Sequence, residues 1–329
     1  MSENYWDWKS LVSNLFAFCL PFVTFIYNDP EIVSKTIKVW LKYALIIYLP
    51  WIPFLHSDAH AHYFMPLTLL ALFFFNLNTK YKIYIIVVFV WILMMGTESR
   101  SSILRFTGAL SISMIYLVKK YKIRNALYKS LHFSMLSLPL VLFGLAITNV
   151  FNVFNMDEYL SHNYVLRNEN GSEFNPTVDT RTFLYEEEIR SALSNKYLWH
   201  GRSLARGYNS IVFTEVDEIT KTSRGERYKC EVSILNVFNY LGIIGVVLYF
   251  FIFIQASYLA IYKSNNDYVK ILALYVSFRW IIAWIEDFNN MDLNYLFLWI
   301  MIGMCFSSAY RKMTNIEFNN WLLKTIKAI

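Results

Sequence analysis

Charge is what this sequence has little of. Asp, Glu, Lys and Arg together make up 16% of its 329 residues, where a soluble domain carries about a quarter. With 56% hydrophobic and 19% aromatic residues, such a chain cannot cover its apolar surface in water. A soluble globular enzyme is therefore excluded, and so is a disordered or fibrous protein. Cysteine is scarce as well. Two of Cys19, Cys230 and Cys305 lie inside apolar runs, so no disulfide framework is implied and no spacing resembles a metal site. Internal repeats, low-complexity tracts and Walker or Asp-x-Asp nucleotide sites are absent. The start, Met1 to Lys9, carries Glu3 and Asp7 and is followed by no small-residue cleavage site, so the first apolar run reads as a retained helix.

What is present is one long apolar run after another, with a mean hydropathy of +0.35. A bilayer core needs about 20 mostly apolar residues per helix. Runs of that kind fall at 10–28, 36–55, 62–78, 82–97, 103–118, 131–150, 233–261, 268–285 and 293–310. The pattern predicts an all-α polytopic membrane protein with about nine transmembrane helices. Residues 1–150 would hold helices 1–6, 151–232 a long outer loop with short helices, 233–311 helices 7–9, and 312–329 a cytoplasmic tail.

The net charge of +6 is read as basic cytoplasmic loops rather than a nucleic-acid surface, so no nucleic-acid partner is expected. Lys119, Lys120, Lys122, Arg124 and Lys129 form the strongest basic cluster. Placing it inside puts Lys35, Lys38, Lys42, Lys80, Lys82, Lys263, Lys270, Arg311 and Lys312 inside too. The opposite loops, His56–His62 and Glu286–Asp292, have no Lys or Arg. The outer, periplasmic side then collects those two loops, Thr97–Ser102, and residues 151–232. This last segment shows helical periodicity from Thr182 to Ser194 and Gly-containing turns at Gly201 and Gly207, as expected of a small folded cap.

Arginine on the outer side needs an explanation. Arg100 sits at the mouth of the fifth span, Arg105 one turn inside it, and Arg279 interrupts the eighth. The loop adds Arg181, Arg190, Arg202, Arg206, Arg224 and Arg227. Guanidinium groups stay charged and bind phosphate oxygens bidentately, so a pyrophosphate at the outer interface is a natural ligand. The alternatives are structural: Arg279 paired with Glu286 or Asp287, Arg105 snorkelling outward, and loop arginines paired with Glu186, Glu187, Glu188, Glu215, Asp217 or Glu218. Glu231 directly precedes the seventh span, where partial desolvation would raise a carboxylate toward the general-base range. An ordinary first-turn Glu favouring the helix dipole is the other reading. His200 and the outer histidines, His62 among them, are either acid/base groups or wet surface residues, and their irregular spacing specifies no metal.

Four stretches carry a resemblance to the O-antigen ligase and O-antigen polymerase family of bacterial membrane glycosyltransferases. His60-Ala61-His62-Tyr63-Phe64 opens a span as the family's His-containing stretch does. Thr97-Glu98-Ser99-Arg100-Ser101-Ser102 resembles its small-Ser-Arg-Ser turn. Arg181, a helix, and then Asn195-Lys196-Tyr197-Leu198-Trp199-His200-Gly201-Arg202-Ser203 is similar to its Arg, helix, Asn-Pro-Leu-x-Gly-x-Gly run. Leu241-Gly242-Ile243-Ile244-Gly245 matches its closing helix. The order and sidedness of the four, over roughly residues 50–311, make the resemblance. Two departures stand out. Glu231 and Val232 occupy the place of the His-Asn found in many ligases, and Ser203 replaces the second loop glycine. The chain is also shorter than typical members.

The resemblance implies a GT-C-like fold in the bacterial inner membrane, with a periplasmic active site and no cofactor. It implies a donor glycan carried on undecaprenyl pyrophosphate, partners among membrane lipid and a chain-length regulator protein, and glycosyl transfer onto a sugar hydroxyl. The departures favour a polymerase of lipid-linked repeat units over a ligase acting on lipid A core. In that reaction Arg100 and Arg181 would stabilise the leaving pyrophosphate and Glu231 would be the base. Arg202, Arg206, Arg279, His200 and His62 would bind substrate. No metal is needed where arginines neutralise the charge. Two other classes compete: a transporter of lipid-linked saccharides, which would show charges along its spans and repeat symmetry, and a non-catalytic assembly partner.

Overall fold

A computed structural model describes residues 3–95, 100–155, 166–167, 173–174, 181–214 and 224–327. The described chain is mostly α-helical. In order, the helices are α1 (Tyr5–Cys19), α2 (Val23–Ile26), α3 (Pro30–Trp51), α4 (Ser57–Phe64), α5 (Leu67–Ala71), α6 (Thr79–Met95), α7 (Arg100–Ser113), α8 (Tyr121–Ile147), α9 (Thr182–Ser194), α10 (Ser233–Tyr262), α11 (Asp267–Ala283), α12 (Leu293–Phe306), α13 (Ser308–Lys312) and α14 (Asn315–Ile326). Two small antiparallel ribbons complete it. In one, β1 (Leu166–Arg167) pairs with β2 (Glu173–Phe174); in the other, β3 (Tyr208–Asn209) pairs with β4 (Glu226–Arg227).

Among the described residues, three helical stretches are long and apolar enough to cross a membrane: Tyr5–Ile26, Tyr121–Ile147 and Ser233–Tyr262. The chain is thus a helical membrane protein. Large apolar side chains lie exposed along several helices, among them Ile46 and Leu49 on α3, Val87 on α6, Phe133 on α8 and Leu248 on α10. Such stripes suit hydrocarbon, not water.

The expected span at 62–78 is not one helix. The chain breaks at Pro66 between α4 and α5 and tightens into a 3₁₀ turn at Phe74–Asn76. Proline has no N–H to continue a helix. Leu67, Leu70, Ala71 and Phe73 are buried in protein, where interrupted helices are tolerated at membrane depth.

Contacts divide the chain into two compact units. The first comprises Met1–Val12, Ser137–Tyr249 and Ala283–Asp287; the second comprises Ser13–Leu136, Phe250–Ile282 and Phe288–Ile329.

In the first unit the kink in α10 sets the geometry. Read as one helix, 30 residues would reach about 45 Å, well beyond a hydrocarbon core of about 30 Å. Gly242 breaks it, with φ 66° and ψ −165°, a region that is essentially glycine-only. From Ile243 to Tyr262 the remaining 20 residues (262 − 243 + 1) span about 30 Å, a bilayer's thickness. The amides freed at the kink are not orphaned: Ile243 N donates to Leu198 O at 3.0 Å and Ile244 N to Trp199 O at 3.3 Å, while Arg202 N donates to Asn239 O at 2.6 Å. The Tyr197–Arg202 turn is thus stitched into the break. A side chain at Gly242 would strike the Trp199 and His200 backbone, and one at Gly201 (φ 75°) the Tyr240 and Leu241 backbone.

In the second unit α3 begins at an Asp29 N-cap, whose carboxylate accepts from Glu31 N, with Pro30 in the first turn. The C-terminal α14 opens with a Thr314–Glu317 capping box and lies along α3. There Trp321 Nε1 donates to Pro30 O and the Thr325 hydroxyl meets that of Ser34.

Candidate active site

Within the first unit, three segments bring charge together ahead of the α10 kink. Arg181 is the N-cap residue of α9. Its Nε donates to Ile285 O at 3.2 Å, its Nη1 lies 3.0 Å from Glu231 Oε2, and its Nη2 lies 3.4 Å from Glu286 Oε1. Arg227, delivered by β4, places Nη2 3.1 Å from the other Glu231 oxygen. Glu231 therefore bridges two guanidiniums. Beside it, Lys229 Nζ is 3.1 Å from Asp287 Oδ2, and Asp287 Oδ1 accepts from Asn236 Nδ2 at 3.1 Å. Asn236 also closes a two-way bond with the Cys230 backbone, which fixes the turn carrying Glu231.

Glu231 stands just ahead of the Ser233–Tyr262 helix, as its sequence position suggests. The arrangement differs from the sequence expectation in one way: Glu231 is not desolvated, since its side chain is 57% exposed against 18% for Arg181 and 14% for Arg227. The carboxylate is the accessible member of the trio and the guanidiniums are its walls. The neighbouring Cys230 is buried, which pushes its thiol up to about 11, so it stands as a neutral thiol rather than a nucleophile.

Arg202 and Arg206 converge on a different carboxylate. Glu226, 2% exposed, lies 3.0 Å from Arg202 Nη2, is gripped by Nε and Nη2 of Arg206, and accepts from Gly207 N. Arg202 also donates to Gly207 O and Asn209 Oδ1. This buried clamp holds the β3–β4 ribbon, and with it Arg227. His200 is exposed in the turn that meets Gly242. Deeper in α9, Glu188 is fully buried, 3.4 Å from the Tyr197 hydroxyl, and burial drives its carboxyl well above the usual range.

The second unit holds the other expected residues. Arg100 starts α7, but its side chain, like Thr97–Ser99, lies outside the described residues. Arg105 does not snorkel into solvent. It is fully buried and folds back onto Ser101, donating from Nε to the carbonyl and from Nη2 to the hydroxyl. Arg279, 1% exposed, donates to Asn294 Oδ1 at 2.8 Å and lies 4.3 Å from the Phe288 ring centroid, a cation–π geometry. His62 Nδ1 is 3.9 Å from Asp292 Oδ2, and Asp292 N-caps α12 through Tyr295 N. Burial pushes the Asp292 carboxyl up, against the opposing pull of His62, Arg105 and Arg279.

From sequence, Arg227 stands only among the loop arginines and Glu286 and Asp287 only as structural partners for Arg279, while Glu226 and Asp292 are not singled out. For Arg227 a signal existed: it stands four residues before Glu231. For Glu226 there was none, because its partners Arg202 and Arg206 reach it only through the β3–β4 pairing.

These features define a helical membrane protein with an arginine-walled carboxylate on a helix-and-ribbon region outside its apolar helices. Residues 85–250, half of the chain, match the family described as O-antigen ligase, and the chain belongs to that family. No curated protein and no solved structure matches it. The matched stretch includes Arg100, Arg181, Glu231 and the α10 kink, and membership assigns the chain to ligase- or polymerase-type glycosyl processing at the membrane.

Proposed function

We propose that the protein is a membrane glycosyltransferase that polymerises oligosaccharide repeat units carried on undecaprenyl pyrophosphate. It would act at the periplasmic face of the bacterial inner membrane. The observation that carries this reading is the Glu231 carboxylate held between Arg181 and Arg227. A carboxylate bridging two guanidiniums marks a position where a phosphate oxygen is also stabilised, since both are bound bidentately by the same planar donors.

Donor binding then has a chemical consequence. A diphosphate taking up Arg181 and Arg227 displaces Glu231, whose exposed side chain is free to swing. The released carboxylate accepts the proton of the attacking sugar hydroxyl. The hydroxyl oxygen bonds to the anomeric carbon as the anomeric carbon–oxygen bond to the pyrophosphate breaks. The electron pair leaves on a phosphate oxygen facing the two guanidiniums. Arg202 and Arg206 act through the Glu226 clamp, positioning β4. Arg100 and Arg279 carry the further cations proposed for substrate, and His62 and His200 the proposed polar contacts to sugar.

The test is complementation of a strain lacking the gene. Arg181→Ala, Arg227→Ala and Arg100→Ala are expected each to abolish polymer while the protein stays in the membrane. Normal polymer length and yield in the first two would overturn the site. A ligase is the second reading, favoured by the description of the matched family. It uses the same donor, so presenting lipid A core and lipid-linked repeat units separately to purified protein distinguishes the two.

A further inference from the structure

A pocket of about 480 Å³ in the second unit is lined by Lys38, Asn320, Leu323, Lys324 and Lys327. Three of its five residues are cations, and it lies where α14 runs beside α3. The two helices keep step: Trp321 meets Pro30, Thr325 meets Ser34, and Lys327 shares the pocket with Lys38. Their height relative to a bilayer can be read from α3 itself. Before Lys38 its exposed residues are charged, Glu31 and Lys35, which pair with each other at 2.7 Å. After Lys38 the exposed large apolar residues are Val39, Tyr43, Leu45, Ile46, Ile47, Leu49 and Trp51, with Lys42 the last exposed cation on the helix. Lys38 therefore stands where α3 passes from water to an apolar environment.

A second helix gives the same level. Tyr81 donates its hydroxyl to Ile326 O at the end of α14, and α6 changes there from Lys80 and Lys82 to exposed Ile83, Ile86 and Val87. The apolar wall of the pocket is Leu323 and the facing acidic residue is Glu31, close enough to Lys324 to feel its charge. Cations at the polar rim of an apolar belt, around a cleft with one apolar wall, match a phosphate headgroup with its acyl chains against the belt.

We propose that Lys38, Lys324 and Lys327 form a binding site for the headgroup of an anionic phospholipid. The site joins α14 to the membrane surface. It is separate from the arginine–glutamate site and does not depend on what reaction that site performs.

The experiment uses the full-length protein in neutral detergent, titrated with phosphatidylglycerol, phosphatidylcholine or inorganic phosphate, with thermal stabilisation and lipid retention in native mass spectrometry as readouts. Phosphatidylglycerol is expected to half-saturate at about tenfold lower concentration than phosphatidylcholine. The triple variant K38Q/K324Q/K327Q is expected to lose that preference. K38R/K324R/K327R keeps it, and so does K35Q outside the pocket. Should the triple variant fail to fold, K38Q and K327Q singly are each expected to weaken the preference about threefold. Equal binding of the two lipids, a preference that survives all the glutamine variants, or displacement of phosphatidylglycerol by millimolar inorganic phosphate would overturn the proposal. The last result would mark a soluble-anion site.

Discussion

A carboxylate wedged between two guanidiniums is held by both until one of them is given another anion. That coupling makes Glu231 informative. Glu231→Gln should lower kcat by about 10²- to 10⁴-fold, the range for loss of a general base, with membrane levels unchanged because the side chain is largely solvent-exposed. Arg227→Ala should raise KM as well as lower kcat, since it removes one wall of the anion position; steady-state kinetics on purified lipid-linked substrate would show the split. Glu188 allows a pH test of the fold alone. Its folded-state pKa is raised by burial, so the stability it contributes is full below the unfolded carboxylate value of about 4.3 and is lost as pH rises through the folded value. Glu188→Gln should flatten that slope. Unfolding midpoints of wild type and variant should agree below the unfolded carboxylate value and diverge, with the variant the more stable, as pH rises above it. Parallel curves would remove the buried-carboxyl account.

At the scale of elements, the kink in α10 is where local chemistry decides the site. Gly242→Ala puts a Cβ into a glycine-only backbone region, costing on the order of 1–3 kcal/mol, and drives it into the Trp199 backbone. The variant should lose activity together with thermal stability, and Gly201→Ala, on the other side of the same approach, should behave alike. An active, stable Gly242→Ala protein would contradict the stitched-turn geometry. The same element shows what a sequence does and does not disclose. The apolar run over 233–261 announces a long helix, and Gly242 within Leu-Gly-Ile-Ile-Gly is visible as a motif. The break is not visible, because it depends on carbonyls at Leu198 and Trp199 some forty residues earlier that accept the freed amides. Arg181 and Glu231 stood out by position. Their meeting did not, since it needs the Cys230–Asn236 bond and the β3–β4 pairing to set the turn. The run at 62–78 misled for a related reason: apolarity reports burial but not whether neighbours are protein or lipid, and Pro66 decides continuity.

For the whole molecule, two compact units carry different parts of the account. The first holds the arginine–glutamate site and the buried Glu226 clamp, and the second holds the lysine pocket and the Arg279–Asn294 pair. The family assignment over residues 85–250 draws on both. A transporter with this composition would place its charges along a path through the apolar helices. In the first unit they gather on the segments around α9, β4 and the start of α10, which suits a catalyst working on a substrate presented from the membrane, while in the second Arg105 and Arg279 are buried singly within α7 and α11. The most direct measurement is elongation of purified undecaprenyl-pyrophosphate-linked repeat units by the reconstituted protein, followed as a ladder of glycan lengths and as release of undecaprenyl pyrophosphate. Wild type should produce both and folded Arg181→Ala neither; a ladder from Arg181→Ala equal to that of wild type would contradict the account.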